Sequence, residues 1–278
     1  MSGDGLAFIG GGNMARALIG GLVARDTPAA AIHVAEPVAA VRDALATDFG
    51  VAVHATAEAA AVDRKTWLLA VKPQVMREVC TTLAALAQRQ QPLVVSIAAG
   101  ITTAQLERWL GGGIAVVRAM PNTPALLGAG ITGLHANAHC SQRQRDAAGE
   151  LLRAAGDIAW IADEALMDAV TAVSGSGPAY VFLLAEAMTA AGIEQGLAPE
   201  VATQLARQTI LGAGRMLVES QDGADELRRR VTSPGGTTQA AVESLQADGF
   251  EAMLGRAIAA ATRRGRALSA ADSDEDPE

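Results

Sequence analysis

Two short segments in the second half of the chain carry residue types suited to holding a small carboxylate. They are Ser174-Gly175-Ser176-Gly177-Pro178-Ala179-Tyr180 and Val231-Thr232-Ser233-Pro234-Gly235-Gly236-Thr237-Thr238-Gln239. Each opens a stretch of helical period. A Ser-Pro-Gly-Gly-Thr-Thr run at a helix start presents backbone N–H groups with no intrahelical partner, a ready receptor for an anion. The hydroxyls of Ser176, Ser233, Thr237 and Thr238 add further donors. Ordinary N-capping by Ser233 or Thr237 would account for the same residues, and from these residues alone both readings stay open.

The inventory of acids and bases narrows the chemistry. The lysines are Lys65 and Lys72, and the histidines His33, His54, His135 and His139, so none lies beyond residue 140. A Lys or His general acid in the second half is excluded unless Lys72 serves. No His, Cys or acid cluster has metal-ligand spacing, so no metal is expected. Cys80 and Cys140 are too few for a disulfide framework and read as packing residues. Reduction of an iminium suits such a chain, because an iminium is already protonated near neutral pH. The protein then has mainly to orient hydride donor and acceptor and to hold the carboxylate.

A hydride donor is indicated at the other end. The first strand runs into Gly10-Gly11-Gly12-Asn13-Met14-Ala15, a G-x-G-x-x-A turn followed by an Ala-rich helix. Glycines there allow the tight turn and the close approach of a pyrophosphate to the helix N-terminus. A turn that merely packs is the alternative. Glu36, at the end of the second strand, is placed to bind ribose hydroxyls and repel a 2′-phosphate, which leans toward NADH; a solvated loop acid is the other reading. Val71, Lys72 and Pro73 after the fourth strand, Ala98 after the fifth and Asn122 after the sixth share the edge where such sheets bind ligands.

These residues need a scaffold. The chain has 278 residues, half of them hydrophobic but only 3% aromatic, so Ala, Val, Leu and Ile must pack through closely approaching elements. Its length suggests two domains. Eight strands are expected at Leu6–Gly10, Ile32–Glu36, Val51–Val53, Thr66–Val71, Leu93–Ile97, Ile114–Ala119, Ile131–His135 and Asp157–Ile161, with helices between most of them. That pattern predicts an α/β Rossmann domain, doubly wound with a mostly parallel sheet, over 1–162. An all-α domain is expected over 163–268, with helices at Glu164–Val173, Pro178–Gln195 and Pro199–Ser220 and two beyond Pro234. The acidic end from 269 to 278 lacks apolar residues beyond alanine and reads as a disordered tail. A formal charge of −8 argues against nucleic acid as a partner. No apolar run suits a membrane span or a cleaved leader, so a cytoplasmic protein is expected.

Taken together, Phe8–Ala15, Ala70-Val71-Lys72-Pro73, Ser96-Ile97-Ala98-Ala99-Gly100, Met120-Pro121-Asn122-Thr123-Pro124, Ser174–Tyr180 and Thr232–Thr238 closely resemble the pyrroline-5-carboxylate reductase family. The resemblance runs from Leu6 to about Leu268. It implies hydride transfer from NADPH or NADH to the C=N bond of pyrroline-5-carboxylate, giving proline. It also implies a homodimer through the helical domain; larger rings of dimers occur in the family. By motif, Gly11, Asn13 and Met14 would meet the pyrophosphate, with Val71, Lys72 and Ala98 along the nicotinamide half and Glu36 near the adenosine ribose. Gly236 and Thr237 would hold the substrate carboxylate through their amides. Thr238 would hydrogen-bond the ring nitrogen and is the expected catalytic side chain; Glu164 matches a position near the substrate ring. Two features depart from the family pattern. Glu36-Pro37 stands where many relatives have Ser, Asn or Asp and then a basic or polar residue, which leaves the choice between NADPH and NADH open. Arg230 replaces an amide found in some relatives and is positioned by the resemblance to reach a phosphate from a partner subunit.

Overall fold

Leu6–Ile9 (β1) is buried at every position, as a parallel strand covered on both faces must be. It pairs in parallel with Ile32–Ala35 (β2) on one side and Thr66–Leu69 (β4) on the other. The computed structural model describes residues 5–271. The other strands are Ala52–His54 (β3), Leu93–Ser96 (β5), Ala115–Met120 (β6), Gly130–Ala136 (β7) and Gly156–Trp160 (β8). All eight lie where the sequence places them, with small shifts at their ends. They form one sheet in the order β3-β2-β1-β4-β5-β6-β7-β8. The chain winds outward through β2 and β3, then returns past β1 to β4, which makes the β1/β4 boundary the switch point where such sheets bind ligands.

One pair runs antiparallel, β6 with β7. The link between them holds only a short 3-10 turn, Thr123–Leu127. A parallel crossover needs roughly a dozen residues or more, usually with a helix, so this short link reverses the chain.

Alternation along the strands divides the core. Phe8, Leu68, Val95 and Val117 pack with Leu18, Ile19, Leu45, Leu151 and Leu152, which come from Asn13–Ala24 (α1), Ala39–Phe49 (α2) and Gln142–Arg153 (α6). Ile9, Trp67, Leu69 and Val116 face Ala60, Met76, Leu83 and Leu106 of Ala57–Ala61 (α3), Pro73–Gln90 (α4) and Thr103–Trp109 (α5). Cys80 sits in this second layer, and burial pushes its thiol up to about 12.

Beyond β8 the described residues form helices joined by short turns. A 3-10 turn at Glu164–Leu166 leads into Met167–Val170 (α7) and a π turn at Thr171–Gly175. Then follow Gly177–Glu194 (α8), Pro199–Glu219 (α9), Ala224–Arg230 (α10), Thr237–Ala247 (α11) and Phe250–Ala271 (α12). Helix α10 was not expected, because it has no apolar period. Asp225 and Glu226 stand in its first turn and Arg228, Arg229 and Arg230 in its last, matching the helix dipole, and Glu226 pairs with Arg229 and Arg230.

The chain divides into two compact units, one holding the described residues up to Gly175 together with those from Ala261 on, the other Ser176–Ala260. The domain boundary expected at 162/163 falls within the first of these units. Residues 164–175 belong with the sheet: Val170 packs so closely on β7 that a Cβ on Gly133 would stand 2.4 Å from its Cγ1. The tail expected over 269–278 overlaps the end of the last helix. Ser269–Ala271 continue α12, with the Ser269 hydroxyl donating to Gly265 O at 3.2 Å; the rest of that tail, 272–278, lies outside the described residues.

In α8, apolar residues face every direction and none is buried. Phe182 and Leu183 are 61% and 66% exposed. A helix apolar all round belongs in an interior, so this one calls for a covering partner. No helix among the described residues is long and apolar enough to cross a membrane.

At the β2–β3 edge, His33 Nδ1 and His54 Nε2 share a hydrogen bond of 2.9 Å. Burial, then Arg64 and His54 nearby, holds the His33 imidazole below its usual 6.5. The unfolded chain therefore takes up a proton near pH 6.5 that the fold accepts only at lower pH. Stability is expected to fall as the pH drops through and below 6.5, with no contribution from this group above it. Thermal melts at pH 7.5 and 5.5 should show a smaller drop for His33→Gln than for wild type; an equal drop would contradict the assignment.

Candidate active site

The glycine turn after β1 has little latitude. Gly10 has φ +104, and a Cβ there would stand 2.7 Å from the carbonyl oxygen of Ala70. On Gly11 a Cβ would stand 2.6 Å from Leu45 Cδ1. Gly12, the N-cap of α1, differs: a Cβ would meet nothing within 4 Å, and no side chain caps the helix. Asn13 and Met14 form the first turn behind it. Open space before an uncapped helix start fits a pyrophosphate.

Glu36 is not a free loop acid. Its carboxylate accepts from Gly11 N and Val38 N, both at 3.0 Å, tying the end of β2 to the glycine turn. Arg42 Nη1 donates to the carbonyls of Glu36 and Pro37 at 2.6 and 2.8 Å. Val71 follows β4, exposed Lys72 is the N-cap of α4, and Pro73 is its first residue. After β5 the Ala98 N–H donates to Ser96 Oγ at 3.3 Å, and Ala98 is buried.

Two distant motifs meet beside β6. Asn122 Nδ2 donates to Ser174 O at 3.1 Å, while its Oδ1 accepts from Ile131 N at 3.0 Å. On Gly175 a Cβ would stand 2.8 Å from Met120 Cε. Asn122 thus braces the π turn against β6 and β7 with its whole amide.

Glu164 sits in a cluster that sequence reasoning missed. Its carboxylate accepts from Thr103 N at 2.8 Å and Thr103 Oγ1 at 2.6 Å, and lies 3.4 Å from Arg118 Nη1. Arg118, 4% exposed on β6, also reaches Asp168 at 3.4 Å. An arginine inside the apolar run Ala115-Val116-Val117-Arg118 was the available signal, since a buried charge requires partners.

In the second unit, the Ser233–Thr238 segment forms a turn and then α11. Gly236 N donates to Ser233 O at 3.0 Å, and Gly235 has φ +71. Gly236 is the N-cap and no side chain caps the helix. Neither Ser233 nor Thr237 does the capping that would have explained the motif away. Gln239, also overlooked, accepts from Gly235 N at 2.6 Å and holds the turn. The amides of the first turn therefore stand open beside the Thr238 hydroxyl. Ser176 directly precedes α8 and likewise caps nothing. Arg230 is engaged within its own chain, by Glu226 at 3.0 Å and Asp222 at 2.6 and 3.2 Å, contacts that raise its pKa.

The chain is similar to known proteins along nearly its whole length. Residues 164–268 match the family model for pyrroline-5-carboxylate reductase dimerisation, and 5–100 match that of coenzyme F420-dependent NADP oxidoreductases. The chain is 52% identical to a pyrroline-5-carboxylate reductase of Pseudomonas aeruginosa over 97% of its length and 98% of the relative. It is 42% identical to that of Haemophilus influenzae, covering 95% and 97%. A solved pyrroline-5-carboxylate reductase from Coxiella burnetii superposes with a TM-score of 0.93 at 39% identity, covering 96% of this chain and 98% of that one. A Plasmodium falciparum pyrroline carboxylate reductase solved with NADP bound gives 0.84 at 28% identity, covering 97% and 99%. With a Rossmann sheet, an open glycine turn and an uncapped Gly-Gly-Thr-Thr helix start, this chain belongs to the pyrroline-5-carboxylate reductase family.

Proposed function

We propose that this chain reduces the C=N bond of pyrroline-5-carboxylate to give proline, the last step of proline biosynthesis, in the cytoplasm. The observation that carries the reading is the start of α11, where a helix opens on Gly236-Thr237-Thr238 with no side chain on its first amides. Those amides suit the substrate carboxylate. Ser176 and Ser233 supply further hydroxyls, and Thr238 hydrogen-bonds the ring nitrogen. The nicotinamide of NADPH or NADH, when bound, supplies the hydride. The imine carbon receives it, the C=N π pair passes to the protonated nitrogen, and the product is a secondary amine. The protein's task is then orientation.

Gly10, Gly11, Gly12, Asn13 and Met14 are assigned to the pyrophosphate, Glu36 to the adenosine ribose, and Val71, Lys72, Pro73 and Ala98 to the nicotinamide half. Asn122 shapes that half through the backbone contacts it makes. The exposed apolar surface of α8 is assigned to a second copy of the chain, giving a homodimer that rings of dimers would extend.

Mixing protein, pyrroline-5-carboxylate and either cofactor should oxidise the cofactor, and no oxidation with either would end the proposal. Glu36→Ser is expected to raise kcat/KM for NADPH relative to NADH, by removing a carboxylate from the 2′ position. An unchanged ratio would take Glu36 out of the ribose site.

A further inference from the structure

Between β5 and α5 runs the loop Ile97–Thr102, which carries Ala98. Its two ends are fixed differently. At the strand end, Ile97 N donates to Leu69 O at 3.1 Å and Ala98 N to Ser96 Oγ at 3.3 Å. At the helix end, Thr102 and Gln105 form a reciprocal capping box. The next residue, Thr103, gives both its backbone N–H and its hydroxyl to Glu164.

Glu164 is itself held. Arg118 lies between Glu164 and Asp168, 3.4 Å from each, with side-chain exposures of 5% for the arginine, 22% for Glu164 and 11% for Asp168. The guanidinium is rooted in β6, the neighbour of β5. A charge this deep is retained only when paired on several sides, and breaking one side leaves the others unbalanced. Asp168 in turn is pressed by α12: a Cβ on Gly265 would stand 3.2 Å from its Oδ1. The same helix end borders the loop, since a Cβ on Gly100, at φ +80, would lie 3.6 Å from Leu268 Cβ.

We propose that Glu164, clamped between Thr103 and Arg118, is a positioning residue for the Ile97–Thr102 loop on the cofactor side, and not a ligand of the substrate. Three donors converge on its carboxylate, two of them from the first helical residue after the loop. Its negative charge at the start of α5 also matches the helix dipole. Loss of the carboxylate frees the helix end of the loop while the Ser96 contact at the strand end remains. Ala98 then no longer has a fixed place against the nicotinamide. The inference rests on the assignment of Ala98 to the cofactor under the proposed function.

The test measures binding and melting, so it reads out even without turnover. Kd for NADPH is measured by fluorescence, Kd for proline by calorimetry on the NADP+-loaded protein, and Tm by calorimetry, in wild type, Glu164→Ala and Thr103→Val. Thr103→Val removes one donor at nearly constant volume and serves if Glu164→Ala does not fold. NADPH affinity should fall at least fivefold in Glu164→Ala and by a smaller factor in Thr103→Val, with proline affinity within twofold of wild type. Weaker proline binding at unchanged NADPH affinity would overturn the proposal in favour of a substrate ligand. A lowered Tm with both affinities unchanged would overturn it in favour of a purely structural role. Failure of wild type to oxidise NADPH with pyrroline-5-carboxylate would instead strike the proposed function, and is scored separately.

Discussion

Replacing Thr238 by valine is expected to lower kcat/KM for the imine roughly 10- to 150-fold, the effect of losing a hydrogen bond to a charged group worth about 1.5–3 kcal/mol. The substitution keeps the shape of the side chain and removes only the hydroxyl. That hydroxyl caps nothing in α11, whose N-cap is Gly236, so Tm should be unchanged. NADPH affinity should also be unchanged, because Thr238 is proposed to contact the substrate and not the cofactor. The discriminating measurement is steady-state kinetics on Thr238→Val beside Thr238→Ser, which keeps the hydroxyl and should recover most of the rate. A loss in Thr238→Ser with Thr238→Val near wild type would show that the methyl group matters and the hydroxyl does not.

Gly21→Ala is expected to cost roughly 2–4 kcal/mol of stability, through overpacking that the core cannot relieve. A Cβ on Gly21 would stand 2.0 Å from the carbonyl oxygen of Ala154 and 2.8 Å from its carbonyl carbon, and backbone does not yield as a side-chain tip does. The close approach brings α1 against the end of α6 and so fixes the helix whose N-terminus is proposed to take the pyrophosphate. Calorimetry should show a Tm lowered by about 5–12 °C. Gly12→Ala gives the contrast within the same helix cap. Its Cβ meets nothing within 4 Å and its φ of −69 suits alanine, so Tm should hold while NADPH affinity falls. A melt for Gly21→Ala matching wild type would mean that α1 can shift freely against α6.

The positions of the strands were legible because buried parallel strands read as short β-branched runs between turn residues, as at Leu93–Ser96 and Ala115–Met120. The glycine turn was legible because its chemistry is local. What escaped was held by contacts distant in sequence or by charge. Helix α10 has no apolar face and depends on the ion pairs of Glu226. The packing of α7 against β7 within one compact unit is marked by no composition change. The Glu164 cluster joins residues 46 to 61 positions apart, so the sequence offers a carboxylate but not its partners. Arg118, a charge within a buried strand, was the one available signal, and the sequence reading did not take it up. The Ser-Pro-Gly-Gly-Thr-Thr segment shows the reverse case. Its residues permit capping or anion binding equally, and only the geometry of Gly236 as N-cap removes the first.

Hydride transfer to an imine carbon can be followed by isotope transfer. The protein is incubated with pyrroline-5-carboxylate and NADPH deuterated at the transferring C4 position, and the product is examined by mass spectrometry and NMR. Proline should carry one deuterium on the ring carbon formerly double-bonded to nitrogen, formed in step with NADPH oxidation. Oxidation without deuterium in proline, or no proline at all, would contradict it.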